Sequence, residues 1–377
     1  MPFIFIDDAA GSEPLLEELS THRRVALDCE AAGFHRYSDR LCLLQLSTPV
    51  QDYILDPLGF DPHDLLQPTL EDPDVEVVVH GADYDLRLLD RDLGIRPRGL
   101  FDTQAAAALV GEPSLGLAAL LERHFGVRLS KKYQRADWAR RPLPDDMLEY
   151  AASDTRHLIE LADLLEERLL ALGRHEWARE EFRELERIRW EDDAGEDPVV
   201  RVRGARDLGP RELTALREAL AWRDRVARER DRAPFRIIAD ASLLEAVRKQ
   251  PRSVKELAQI KGMNPGLARS EGPALVAEME RVERLPASEL VPYPRRQPNG
   301  RGRPPPEVEE LAERLKVARN RRAVELGIDR GFLVSNSVLT EIAWERPRSL
   351  DALRAVQGVK DWQVEAVGSE LLAVLRR

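Results

Sequence analysis

Residues 23–48, RRVALDCEAAGFHRYSDRLCLLQLST, set the architecture of the first half of the chain. Two runs within it, 23–32 and 40–48, are short, apolar and bounded by polar residues, the pattern of buried strands. Asp39-Arg40 stands near the turn between them, and so short a connection makes the pair antiparallel neighbours. On a strand, residues i and i+2 face the same way. Asp28 and Glu30 therefore share a face, while Val25, Leu27 and Cys29 turn to the other side, into the core. Two adjacent carboxylates repel unless a cation or a proton sits between them. Taken alone, an Asp-x-Glu pair also fits an acidic strand end dipping into solvent.

Further along, DYILDPL (52–58) and VEVVVHG (75–81) read as strands. Helical patterns follow at 83–94, 102–111 and 115–126, with a long one from Pro144 to Arg189. Gly94, Gly111 and Gly126 are placed as helix stops. Strands first and helices mainly after predict a mixed sheet with helices packed on it. Asp85 falls at or just inside a helix N-terminus, where it would serve as a cap or dipole partner if Asp83 does not. Tyr150 and Asp154 are spaced i,i+4 and project from one helix face. His80 closes a strand, where a histidine is either satisfied locally or a site residue. Four carboxylates directed at a common point can hold two divalent cations, the apparatus that cuts phosphodiester bonds. The first half of the chain therefore reads as a nuclease.

Composition narrows the setting. The chain has 377 residues, enough for two or three domains. No run of 18 or more apolar residues occurs, so no membrane span is expected. The N-terminus lacks the basic region of a signal peptide. Cys29 and Cys42 fall in core strands, where reduced Cys acts as a small apolar residue, and the expected compartment is the cytosol. The net charge of −11 hides an asymmetry: residues 1–200 carry 22 Lys+Arg against 42 Asp+Glu, and 201–377 carry 35 against 26. An acidic front suits a cation site and a basic back suits phosphate attraction, although Arg-rich solvated helices would give the same count.

The pattern breaks at DDAGEDP (192–197 and its flank), and again in the Pro- and Arg-rich stretch from Pro286 to Pro306, which read as linkers. PRSVKELAQIKGM (251–263) and PRSLDALRAVQGV (347–359) align without gaps at an offset of 96 residues. The matched Pro, Ser and Gly punctuation predicts two copies of one small helical domain.

The order VALDCE, LCLLQLST, LDP, HGADYDLRLL, FDT, ADWARRPL, YAASDT resembles the DEDD exonuclease superfamily, and within it the ribonuclease D family. Residues 208–286 are similar to the HRDC domain that follows in that family, and the second repeat to its more divergent HRDC-like domain. The resemblance implies an α/β ribonuclease H-like exonuclease domain with a mixed β-sheet over 1–195, HRDC domain 1 over 208–286, a linker over 287–305 and an HRDC-like domain 2 over 306–377. It implies that Asp28, Glu30, Asp85 and Asp154 hold two Mg²⁺ or Mn²⁺ ions and that Tyr150 orients the attacking water. Position 149 is Glu where relatives with a histidine base carry His, so the tyrosine subtype is implied, and His157 is out of register. Ala136 stands where relatives often have Ser.

The implied activity is 3′→5′ exoribonucleolysis releasing 5′-mononucleotides, on RNA with a free single-stranded 3′ end such as precursor tRNA. Lys131, Lys132, Gln134, Arg135, Trp138 and Arg141, with His80, are the candidate RNA contacts, since basic residues interleaved with aromatics suit single strands. A solvated loop anchored by Trp138 fits the same residues. Lys316, Arg319, Arg321 and Arg322 form a candidate basic patch in the second repeat. A DNA exonuclease on the same fold and a catalytically silent RNA-binding scaffold are the rivals. No GxxxxGK[ST] occurs, so no nucleotide cofactor is expected.

Overall fold

The computed structural model describes residues 2–191, 195–294, 302 and 304–376. The first half is built on a six-stranded sheet ordered β1-β4-β3-β2-β5-β6. Its strands are β1 (Phe3–Ile6), β2 (Arg24–Ala31), β3 (Leu41–Ser47), β4 (Asp52–Leu55), β5 (Glu76–Val79) and β6 (Leu100–Asp102). β2 and β3 pair antiparallel, with Asp28 opposite Gln45 and Glu30 opposite Leu43. β3 and β4 are also antiparallel, while β1–β4, β2–β5 and β5–β6 are parallel. The sheet is mixed, as expected. Its two edge strands, β1 and β6, went unread because FIFI and LFD are too short to show any period.

The predicted helix stops hold: Gly94, Gly111 and Gly126 take φ of 65°, 83° and 68°. The long helix from Pro144 to Arg189 does not. It is three helices, Asp145–Thr155, Leu158–Ala171 and His175–Leu185. Gly173, at φ 66°, ends the middle one. The break at Arg156-His157 has a tertiary cause. The first segment packs on β2, β3 and β4, whereas the second packs on β2, β5 and the Thr103–Val110 helix, and one straight rod cannot follow both surfaces.

The second half is helical, and its two copies keep their register. Helices Pro210–Glu229, Pro234–Ile237 and Asp240–Lys249 recur 96 residues later as Pro306–Leu326, Arg330–Leu333 and Asn336–Glu345. Gln250 and Arg346 both end their helices at positive φ, 47° and 48°. Ser253 and Ser349 each cap the next helix by accepting from the backbone N–H three residues on. The copies differ in their last segment. Pro273, lacking an N–H, follows the break between Pro265–Ser270 and Gly272–Glu283, whereas the second copy, with Ser369 there, runs unbroken over Asp361–Leu375. The expected linkers lie partly outside the described residues, at 192–194, 295–301 and 303.

Both helical domains contact the sheet domain. The second shares its hydrophobic core: Trp177 stacks on Trp362 at 5.4 Å, and Glu180 accepts from the backbone of Asp361 and Trp362. The first has a separate core, onto which Tyr37 packs. No helix among the described residues is long and apolar enough to cross a membrane.

Candidate active site

β2 carries Asp28 and Glu30 out of the sheet toward the Asp145–Thr155 helix, which brings Asp154 over the same face. Carboxylate oxygens from Asp28, Glu30 and Asp154 lie within 4.8 Å of one another. Asp85 joins them from the first turn of the Asp83–Leu88 helix, close enough to Asp28 for the two charges to raise each other's cost. Among the described residues none of the four forms an ion pair with Lys or Arg. Burial pushes Asp28 up to about 7. Burial first, then the charge on Asp28, raises Asp154 to about 8. Glu30 and Asp85 stand well above the carboxylate range, again by burial and then by their acidic neighbours. Tyr150 is also raised, by burial and then by Asp154, Glu30 and Asp28, so its hydroxyl lies within reach of their charge.

Such a set of hard oxygen donors without a counter-charge fits a hard divalent cation. A second observation agrees. Gln45 lies opposite Asp28 on β3, on the same face, and its buried amide has no partner for either Oε1 or Nε2. Buried amides are normally hydrogen-bonded, so this one is suited to an oxygen that arrives with the ion or the substrate. Gln45 was not singled out in the sequence, where its only signal is one polar residue in an otherwise apolar strand.

Asp102 is the other residue missed. Only 1% exposed, it accepts from the backbone N–H of Gly81, Ala82, Gln104 and Ala105 at 2.8–3.1 Å. It thereby caps the Thr103–Val110 helix and fixes the turn that delivers Asp85. Burial raises its carboxyl, and those four donors pull the other way. The signal was FDT, an Asp directly before a helical run.

Residues 3–170 match the 3′-5′ exonuclease family, and 212–279 and 308–375 each match the HRDC domain. Ribonuclease D of Pseudomonas paraeruginosa is 30% identical, covering 98% of this chain and 97% of its own length. Ribonuclease D of Escherichia coli is 34% identical over 76% of each chain. The chain belongs to the ribonuclease D family. Its crystallised E. coli member, described as an exoribonuclease involved in structured RNA processing, superposes with a TM-score of 0.72 at 28% identity, covering 100% of this chain and 99% of that one. A protein from Bifidobacterium adolescentis superposes at 0.82, with 27% identity, covering 100% and 97%. Like its relatives in the ribonuclease D family, the protein is a hydrolytic 3′→5′ exoribonuclease.

The residues expected to touch RNA in this ribonuclease D-type site divide by burial. Lys131, Gln134 and Arg135 are exposed. Lys132 pairs with Asp146 and, with Tyr133, Tyr150 and Arg156, lines a cavity of about 430 Å³. Trp138 and Arg141 are placed differently from the expectation. Trp138 is 2% exposed and packs 6.1 Å from the Tyr150 ring, leaving no face for a base. Arg141 grips Asp56 with two nitrogens and donates to the Cys42 carbonyl. Both anchor the loop. His80 bonds Thr103 through Nδ1 at 2.9 Å, and burial lowers it to about 4, so it is neutral near pH 7. The basic patch of the second repeat is also dispersed. Arg319 is buried and donates to the Arg330 and Val334 carbonyls, while Lys316, Arg321 and Arg322 pair with Glu313, Glu325 and Glu370.

Proposed function

We propose that the chain hydrolyses RNA one nucleotide at a time from an unpaired 3′ end, releasing 5′-mononucleotides, with precursor tRNA and other small structured RNAs as substrates. The observation that carries this is the convergence of Asp28, Glu30 and Asp154 within 4.8 Å. Asp28, Glu30, Asp85 and Asp154 would hold two divalent cations, Mg²⁺ or Mn²⁺. Bound there, such ions acidify an attacking water and offset the charge gathering on the phosphoryl group and leaving oxygen.

The chain's own groups do the positioning. The Tyr150 hydroxyl, within reach of the carboxylates' charge, is held rigid between Tyr133 and Trp138 and orients the water for in-line attack. It does so as a neutral donor and acceptor, because its acidity is suppressed. In the cavity beside Tyr150, Lys132 is paired with Asp146 and Arg156 with Asp52 and Glu149, so their charges are already met within the chain. Lys131, Gln134 and Arg135 meet the strand outside it. We assign residues 1–195 to the catalytic domain, 208–286 and 306–377 to the two HRDC-type domains and 287–305 to the linker. The two buried free cysteines support a reducing, cytosolic setting.

The test is incubation of the full chain with matched RNA and DNA bearing the same duplex and an unpaired 3′ tail, with Mg²⁺ and with chelator. Stepwise shortening of the RNA from its 3′ end, only with metal, is expected. Faster cleavage of the DNA would transfer the activity to deoxy substrates.

A further inference from the structure

β2 leaves the metal-ligand face at Ala31, and the chain then reaches outward to the first helical domain. Phe34, four residues past Glu30, is within about 14 Å of it by chain length alone. Its ring is 38% exposed and touches Phe235, 52% exposed, across the domain boundary at a centroid distance of 5.5 Å. Among the described residues this is the one ring pair in which both members are exposed. The two exposed rings form one small apolar patch on the seam.

The seam is also held in place. The Ala233 backbone donates to the His35 carbonyl at 3.1 Å, and Arg236 Nε donates to the Phe34 carbonyl at 2.6 Å. Tyr37 donates to Asp224, and Arg36 bridges Asp137 and Asp231. The rings are therefore fixed relative to the carboxylates.

The surrounding charge is positive. Arg236 lies 4.7 Å over the Phe34 ring and 6.0 Å over the Phe235 ring, and Arg135 lies 5.6 Å from Phe34, so Phe235 has the more open ring. A cavity of about 390 Å³ between the two domains lies next to the pair in sequence, lined by His35, Arg36, Arg230, Arg232 and Arg236 together with Asp137 and Asp231. Arg36 and Arg230 are neutralised by carboxylates. Arg135, Arg232 and Arg236 have no carboxylate partner among the described residues.

An aromatic platform beside uncompensated guanidinium groups is what an unpaired nucleotide needs: a π-face for the base and cations for its phosphates. We propose that Phe34 and Phe235, with Arg135, Arg232 and Arg236, form a stacking subsite for single-stranded RNA upstream of the 3′ end, built jointly by the catalytic and first helical domains. The subsite rests on the exoribonuclease reading above. It makes the first HRDC-type domain part of the substrate path.

The test compares wild type with Phe34→Leu/Phe235→Leu, which keeps apolar packing and removes the flat rings, and with Phe34→Tyr/Phe235→Tyr, which keeps them. Binding of a 3′-tailed RNA is measured by fluorescence anisotropy in chelator, and hydrolysis of a dinucleotide, which carries a single nucleotide upstream of the scissile bond, is measured with Mg²⁺. The leucine pair should weaken tailed-RNA binding at least fivefold, leave dinucleotide turnover unchanged, and be restored by the tyrosine pair. Arg232→Ala should reduce the slope of log affinity against log salt by about 0.7. Wild-type affinity in the leucine pair, or equal loss on both substrates, would overturn the subsite while leaving the exonuclease reading intact. A wild type that degrades neither RNA would instead remove the reading beneath it.

Discussion

The residues at the centre of the site make separable contributions. Asp28 and Asp154 sit among other carboxylates, so Asp28→Ala or Asp154→Ala removes a proposed cation ligand and relieves repulsion at once. Either variant should lose hydrolysis below detection while melting no lower than wild type in chelator, as read by a gel assay beside a thermal scan. Tyr150→Phe keeps the ring between Tyr133 and Trp138 and deletes only the hydroxyl, so turnover should fall about 10²- to 10⁴-fold with Mg²⁺ affinity unchanged by calorimetry. Gln45→Leu discriminates further. If the buried amide awaits an oxygen brought by the ion, the metal-free variant should gain about 1–3 kcal/mol in denaturant titration, yet bind Mg²⁺ more weakly. Spacing put Asp28 with Glu30 and Tyr150 with Asp154 on common faces, and the motif order shared with the ribonuclease D family joined them to Asp85. Gln45 was not legible, since a single amide in a strand becomes telling only once its burial and lack of partners are known. Trp138 and Arg319 misled for a related reason: a tryptophan among basic residues, or an arginine in a basic run, reads the same whether it faces solvent or the core.

At the scale of elements, turn chemistry proved more legible than length. The glycine stops and the Ser caps of both repeats act locally, through φ preference and one side-chain bond. The division of the long helical pattern, and the edge strands β1 and β6, depend on which surface each segment packs against. Asp102 shows how an element can serve the site from outside it. Its carboxylate ties the end of β6, the Thr103–Val110 helix and the Gly81-Ala82 turn together through four backbone donors. Asp102→Ala leaves those N–H groups unmet, that of Ala82 in the core, and should lower stability by about 2 kcal/mol. Asp102→Asn, able to accept on one oxygen only, should recover part of the stability and little of the activity, because the turn carrying Asp85 stays loose. Denaturant melts paired with turnover of a 3′-tailed RNA would check this.

Across the whole molecule, the metal-free site and the domain packing each leave a signature. Free carboxyls titrate near 4, whereas burial pushes Asp28 and Asp154 in the folded chain up to about 7 and about 8. The folded state therefore holds extra protons across that window. Their stabilisation is complete below pH 4 and is lost as pH rises through 7 and 8. Bound Mg²⁺ takes the place of those protons, so the Mg²⁺-induced rise in Tm should be small at pH 5.5 and large at pH 8.5. An increment independent of pH would mean that the ion binds elsewhere.

The two helical domains should differ just as sharply when removed. The second shares one hydrophobic core with the sheet domain, and Arg174 reaches across to the Leu326 carbonyl while bonding Leu109. Truncation after residue 304 would expose Trp177, take the Leu326 carbonyl from Arg174 and leave the Glu181 side chain without Lys360 and Trp362. The truncated chain should lose stability and bind hydrophobic dye, whatever its affinity for RNA. Loss of RNA binding there would report damage to the catalytic domain before it reported a lost contact. Conversely, a truncated chain that melts as wild type and fails only on structured RNA would make this domain a substrate-binding module after all, with the shared core contributing little.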